Sequence, residues 1–257
     1  MGISSDLRDD HVRVVTMDFP PVNALPVQGW FDLAAALDEA GRDQATHVVV
    51  LRAEGRGFNA GVDIKEMQHT AGFDALLGAN KGCFAAFKAV YECPVPVVAA
   101  VHGFCLGGGV GLVGNADTVV AADDAYFGVP EVDRGALGAA THLARLVPPH
   151  LMRTLYFTGR TITAADLVPH GSVLEVVPRD RLDDTALGVA REIAAKDTRV
   201  IRAAKEALNG IDPVDVNTSY RFEQGFTMEL NLAGVSDELR DDFVGSAGRA
   251  RRDQESP

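Results

Sequence analysis

The 257-residue sequence predicts an α/β fold followed by a helical C-terminal region, and three observations carry that prediction. Short apolar runs alternate with stretches of helical spacing through the first two thirds of the chain, which is the rhythm of β-α-β units. Two of those runs lead into glycine-bearing loops, Gly55-Arg-Gly-Phe-Asn-Ala-Gly61 and Gly107-Gly-Gly109. From Arg181 onward the strand patterns cease and helical spacing alone remains.

Each element has its own signal. Val12 to Met17 alternates as a strand and is closed by Pro20-Pro21. Val27 to Ala40 has helical spacing that places Trp30, Leu33, Ala34 and Leu37 on one face. His47 to Arg52 is a second strand. Phe73 to Tyr91 reads as a helix that stops before Cys93-Pro94, because proline pushes its predecessor out of the helical region. The strand ending at Val101 then feeds the triple glycine, Val119 to Ala122 and Leu174 to Val177 add short strands, and Gly138 to Val147 reads as a helix. Further helices are expected over 181–196, 198–209, 213–232 and 236–248. The change of pattern near residue 200 divides a core of 1–200 from a helical cap of 201–257. Within the cap, Tyr220, Phe222, Phe226, Met228 and Leu230 do not share one narrow helical face, and surplus apolar surface of that kind predicts contact with a partner subunit.

Composition narrows the functional classes. A net charge of −12 argues against nucleic acid and anionic membranes, which call for clustered Lys and Arg. Arg249-Ala-Arg-Arg252 is the exception, and beside acidic residues it reads as a solvated tail. Cys83, Cys93 and Cys105 show neither disulfide framework nor metal spacing, which points to a reducing cytoplasm. The opening residues are polar and acidic, and no apolar run approaches the roughly 20 residues that span a bilayer, so a soluble protein is expected. No grouping of His, Cys, Asp and Glu has metal-ligand spacing, and no Gly-x-Ser-x-Gly elbow is present.

The chemistry concentrates in the glycine loops. The second loop follows an apolar strand and opens a small-residue helix, so its free amides sit where a developing negative charge is stabilised. An amide from the first loop beside it completes an oxyanion hole. By order and spacing these loops, Phe58-Asn-Ala-Gly-Val-Asp-Ile64 and His102-Gly-Phe-Cys-Leu-Gly-Gly-Gly109, resemble those of the enoyl-CoA hydratase/isomerase (crotonase) superfamily. Pro21-Val-Asn-Ala-Leu25, Asn115-Ala-Asp117, Phe127-Gly-Val-Pro-Glu131, Thr158-Gly159 and Ala203-Ala-Lys205 extend the resemblance over nearly the whole chain. It implies a spiral of β-β-α turns with a C-terminal helical trimerisation region, and a homotrimer or dimer of trimers. It further implies oxyanion donors at the amides of Val62 and Gly108, and a coenzyme A thioester substrate held by Ala24, Leu25, Ala60, Asp63, Ile64 and Lys65. Coenzyme A then enters as part of the substrate, with no permanently bound cofactor and no metal.

Hydratases of that family hold a water between two glutamates. Glu131 matches the later one, but the earlier one is replaced by Gly111, which has no side chain to act as acid or base. The apolar stretch before Glu131 predicts a carboxylate whose pKa is raised by desolvation. Asp133, Arg134 and His142 stand nearby as less specific candidates, whereas His47, His102 and Cys105 read as structural. One glutamate beside an oxyanion hole suits double-bond isomerisation, hydrolytic carbon–carbon cleavage or thioester hydrolysis. Pro20 to Trp30, Val110 to Asn115 and Arg134 to His142 resemble an actinobacterial subgroup linked with steroid catabolism, which opens the last carbocycle of a bicyclic indane-dione CoA thioester. On that resemblance Gly111 reads as room for a bulky fused-ring acyl group. Hydration or isomerisation of an enoyl-CoA, and acyl-CoA binding without turnover, are the alternatives.

Overall fold

The computed structural model describes residues 1–70 and 72–243. The tail Arg249 to Arg252 and the last part of the helix expected over 236–248 lie outside the described residues. A six-stranded sheet runs β1 (Gly2–Leu7), β2 (Val12–Asp18), β3 (Val48–Ala53), β4 (Val97–Val101), β6 (Thr118–Ala122) and β9 (Glu175–Val177). Apart from the β1–β2 hairpin, its neighbours are parallel. A three-stranded sheet holds β5 (Phe104–Leu106), β7 (Tyr126–Gly128) and β8 (Thr161–Thr163). Consecutive strands β4/β5 and β6/β7 therefore split between the two sheets, one strand to each per turn of the chain.

A parallel strand covered on both faces must be apolar on both, and the register shows it. Val49 and Leu51 of β3, with Val97, Ala99 and Val101 of β4, enter a large core packed against α1 (Val27–Arg42) and α3 (Asp74–Tyr91). Val48 and Val50, with Val98 and Ala100, enter a second core closed by Leu182, Ala186 and Ala190 of α8 (Leu182–Ala194). The predicted face of α1 is the buried one: Trp30, Leu33 and Leu37 are fully enclosed. The helices expected over 198–209 and 213–232 appear as α9 (Thr198–Gly210) and α10 (Val216–Leu232), with a further helix over 235–243. Two family-like stretches far apart in sequence meet here, since Lys205 of α9 donates to both carboxylate oxygens of Asp117 at 2.7 and 2.8 Å, and Asp117 also accepts the amide of Val97 at 2.8 Å.

Two expectations need correction. The opening residues are a strand, β1, although Ile3 and Leu7 are its only large apolar residues; its side chains are largely exposed on the sheet edge, so no apolar alternation was required. The helix expected over Gly138 to Val147 shrinks to α5 (Ala140–Leu143), because Ala139 takes φ +60° and the loop before it is bound from outside.

Candidate active site

The first glycine loop docks on the edge of β5. Asn59 bridges to Cys105, and Leu25 bridges to Val62. Two buried asparagines hold this seam: Asn59 Nδ2 donates to the Asn23 carbonyl at 2.7 Å while its Oδ1 accepts the amide of Gly61 at 2.8 Å, and Asn23 Nδ2 donates to the carbonyls of Glu54 and Gly57. The resemblance supplied these asparagines as motif letters only; their role is to pin two loops in register.

Val62 and Gly108, the first residue of α4 (Gly108–Val113), come together through this seam. The α-carbon of Gly61 lies where a β-carbon on Gly108 would touch it at 3.4 Å, and the same β-carbon would meet the Trp30 ring at 2.6 Å. Neither the Val62 nor the Gly108 amide donates a hydrogen bond within the described residues. Two free amides on adjoining loops suit one oxygen atom that gains charge.

Glu131 sits on a 3-10 turn, Pro130–Arg134, directly after β7. Its carboxylate presses on the α-carbon of Gly107: a β-carbon there would collide with Oε1, and φ is +54°. Only glycine meets both demands. Oε2 is sealed from solvent and has no partner within the described residues. Burial pushes the Glu131 pKa up to about 7, with its own backbone N–H and Arg134 pulling it down and Glu223 pushing it up. The carboxylate expected to be desolvated is buried and lies against the second glycine loop.

The room expected at Gly111 is not there. A β-carbon on Gly111 would run into the ring of Phe87 from α3, so the aromatic side chain fills the volume. Phe87 packs edge-on to Trp30 and His142, at 5.7 and 4.9 Å between ring centres, and tilts against Tyr220 at 5.1 Å. His142 is 1% exposed, its Nδ1 lies 3.2 Å from Asn115 Oδ1, and burial lowers its pKa to about 3. It belongs to this aromatic packing. Arg134 donates to the Pro130 carbonyl at 2.9 Å and stacks on Phe243 at 4.2 Å, and Asp133 lies against Gly159; neither pairs with Glu131.

Glu223 of α10 was not legible beforehand. Its carboxylate accepts the amides of Ala140 at 2.9 Å and Thr141 at 2.6 Å together with the Thr141 hydroxyl, and burial raises its pKa. Thr227 holds Leu137 and Ser236 holds the Gly135 carbonyl, while Tyr156 of α6 (Pro149–Thr158) accepts the amide of Gly138 at 3.0 Å. The loop after Glu131 is therefore clamped by helices from the far end of the chain.

Of the six residues expected at coenzyme A, Ala24, Leu25, Ala60 and Asp63 lie at this seam, and Ile64 and Lys65 open the helix that follows it. Leu25 donates to the Gly61 carbonyl and accepts from Asp63, both at 2.9 Å; its side chain is fully buried, so it offers a ligand its backbone alone. Ala24 and Ala60 are half-buried, with the Ala60 amide directed at Asn23. Asp63 caps α2 (Ile64–His69) through the Lys65 amide at 2.9 Å, and Lys65 is exposed with no ion pair among the described residues. An open groove of about 420 Å³ between β1, β2 and α8 shares no lining residue with this site. Among the described residues no group of His, Cys, Asp and Glu is arranged to hold a metal ion.

A family model described as Enoyl-CoA hydratase/isomerase matches residues 8–229. The chain belongs to this family. Within it, a protein of Rhodococcus jostii (strain RHA1) called (7aS)-7a-methyl-1,5-dioxo-2,3,5,6,7,7a-hexahydro-1H-indene-carboxyl-CoA hydrolase is 71% identical over 95% of each chain. A Mycobacterium tuberculosis (strain ATCC 25618 / H37Rv) protein of the same description is 68% identical over 95% of this chain and 99% of its own. By contrast, a probable enoyl-CoA hydratase of Rhizobium meliloti (strain 1021) is 36% identical over 85% of this chain and 86% of its own. The crystal structure of an enoyl-CoA hydratase/isomerase from Xanthobacter autotrophicus Py2 superposes with a TM-score of 0.85 at 28% identity, covering 100% of this chain and 99% of that one. In this enzyme of the family the ring of Phe87 fills the space beside Gly111.

Proposed function

We propose that this enzyme hydrolyses a carbon–carbon bond in the ring of a steroid-derived bicyclic acyl-CoA. The observation that carries the reading is the buried Glu131 carboxylate, its Oε2 without a partner among the described residues, beside two free amides, with Phe87 standing where a second acid would have to be. Glu131 takes a proton from water, the hydroxyl adds to a ring ketone, and the carbon–carbon bond breaks as its electrons pass through the conjugated ring to the thioester oxygen. The amides of Val62 and Gly108 hold that oxygen as its charge develops, which favours the transition state over the ground state. Two highly similar relatives bear the name of such a hydrolase, and syn hydration would need the acid that is missing.

The seam of Ala24, Leu25, Ala60 and Asp63, together with Ile64 and Lys65 of the helix that follows it, carries the coenzyme A portion, with the exposed Lys65 ammonium toward its phosphates. No resident cofactor is required by this chemistry. Free, buried cysteines fit a cytoplasmic enzyme. The exposed edge-to-face pair of Phe222 and Phe226, 5.2 Å apart, supports burial between subunits of a homotrimer or dimer of trimers, and light scattering that gives a monomer mass would refute it.

The deciding experiment incubates the protein with the indane-dione CoA thioester and, separately, crotonyl-CoA in water enriched in the heavy oxygen isotope. A ring-opened product with label in a new carboxylate is expected. Labelled 3-hydroxybutyryl-CoA at a comparable rate would make the enzyme a hydratase.

A further inference from the structure

Hydrolysis of a ring carbon–carbon bond, the reading on which this inference rests, develops negative charge twice. Water addition first makes an alkoxide at the attacked ketone, and bond cleavage then makes an enolate at the thioester. The free amides of Val62 and Gly108 form one pair on adjoining loops and serve the second charge. The first arises on the side of Glu131, where the water is activated, and it needs a donor of its own.

The other polar groups around Glu131 are held by their neighbours. Arg134 donates from one terminal nitrogen to Pro130 and stacks on Phe243 while its Nε is buried without a partner, Glu223 is an acceptor filled by Ala140 and Thr141, and His142, whose Nε2 is also without a partner, is enclosed between Phe87 and Tyr220. Tyr156 differs. It is 8% exposed, its hydroxyl oxygen accepts the amide of Gly138 at 3.0 Å, and its proton has no acceptor among the described residues. A buried hydroxyl usually spends its proton, so a spare one is a donor in waiting. Its helix, α6, packs on the 3-10 turn that carries Glu131, and a β-carbon on Gly159 at the end of α6 would lie 2.7 Å from Asp133 Oδ2 of that turn. Burial raises the phenol pKa well above its ordinary value, and Glu131 and Glu223 push it further in the same direction, so the hydroxyl keeps its proton across the working range.

We propose that Tyr156 is a catalytic residue whose hydroxyl donates a hydrogen bond to the alkoxide formed at the attacked ring ketone. The water proton passes to Glu131, the water oxygen bonds to the ketone carbon, and the carbonyl π pair becomes the alkoxide lone pair held by Tyr156. Collapse of the alkoxide re-forms the carbonyl as a carboxylic acid. The bond to the ring carbon breaks, its electron pair reaches the thioester oxygen, and Glu131 returns its proton to carbon. Tyr156 keeps its proton throughout.

The test is Tyr156→Phe in the full chain, assayed with the indane-dione CoA thioester across pH. Loss of one such donor lowers kcat about 100-fold, with KM within threefold and the acid limb of the rate profile unmoved. A kcat within threefold of the parent overturns the assignment, and so does a loss that comes with a displaced acid limb, which would mean that the hydroxyl acts only by holding Gly138 and the loop behind Glu131. Glu223→Gln provides the reference for that second pattern, since it loosens the same loop without touching the hydroxyl. If Tyr156→Phe fails to fold, 3-fluorotyrosine at 156 keeps the ring and the Gly138 contact while making the hydroxyl more acidic. Direct donation then raises kcat with both limbs of the profile in place, since a more acidic hydroxyl donates a stronger hydrogen bond to the alkoxide, and an unchanged kcat refutes it. A parent enzyme that leaves the thioester intact would instead sink the proposed function itself.

Discussion

Replacing Glu131 by Gln should change how stability depends on pH as well as abolish turnover. The ordinary glutamate pKa of 4.5 rises to about 7 in the folded protein, because Oε2 is sealed without a partner. A group whose folded pKa is raised contributes stability that is fully present below its unfolded pKa and is lost as pH rises through the folded one. A shift of about 2.5 units at 1.36 kcal/mol per unit amounts to about 3 kcal/mol. The parent should therefore lose about 3 kcal/mol relative to Glu131→Gln between pH 4 and pH 8. Any fixed cost of an unpaired amide cancels in that comparison. For a chain of this size the difference corresponds to about 6 to 12 °C in Tm at the melting transition. Thermal unfolding of both proteins at one fixed protein concentration, from pH 4 to 8.5, measures it. The rate should follow the opposite course, with kcat/KM rising through about pH 7 as the base ionises. Parallel stability curves together with a flat rate profile between pH 6 and 8 would refute the claim that burial sets the acidity of Glu131.

Gly107→Ala places a methyl group in the Glu131 carboxylate and forces a left-handed φ on a side chain. A drop in kcat of at least 100-fold with retained acyl-CoA affinity is expected, from steady-state kinetics and calorimetric binding. Gly111→Glu does not restore hydration, because Phe87 occupies the space; crotonyl-CoA turnover should stay at background while stability falls by about 1–3 kcal/mol or more, read by urea unfolding. Lys205→Met strands Asp117, just before β6, and should cost about 3 kcal/mol or more, a Tm loss of at least about 6 °C, with KM unchanged.

Local signals carried much of the fold. Parallel strands buried on both faces advertise themselves as apolar runs, and Trp30, Leu33 and Leu37 announced the buried face of α1. Motif spacing marks Glu131 and the amides of Val62 and Gly108, which are proposed as base and oxyanion donors, and the desolvation of Glu131 followed from the apolar residues before it. What escaped depended on contacts between distant segments. Gly111 looks the same in sequence whether its missing side chain leaves a hole or makes way for Phe87, and nothing local says which. Glu223 is one acidic residue on a helix rich in polar ones until the fold brings Ala140 and Thr141 to it. The same bonds cap α5 from outside, since the first amides of a helix have no partner within it.

The helix α10 has two clienteles. Glu223 and Thr227 hold the loop behind the base, while Phe222 and Phe226, on the outward surface of the same rod, stand exposed. A rigid rod cannot satisfy one side without consulting the other. A substitution on the outer side that tilts α10 by a fraction of an ångström is delivered to the loop that positions the base, so drift on the surface and the tuning of ring opening are inherited together.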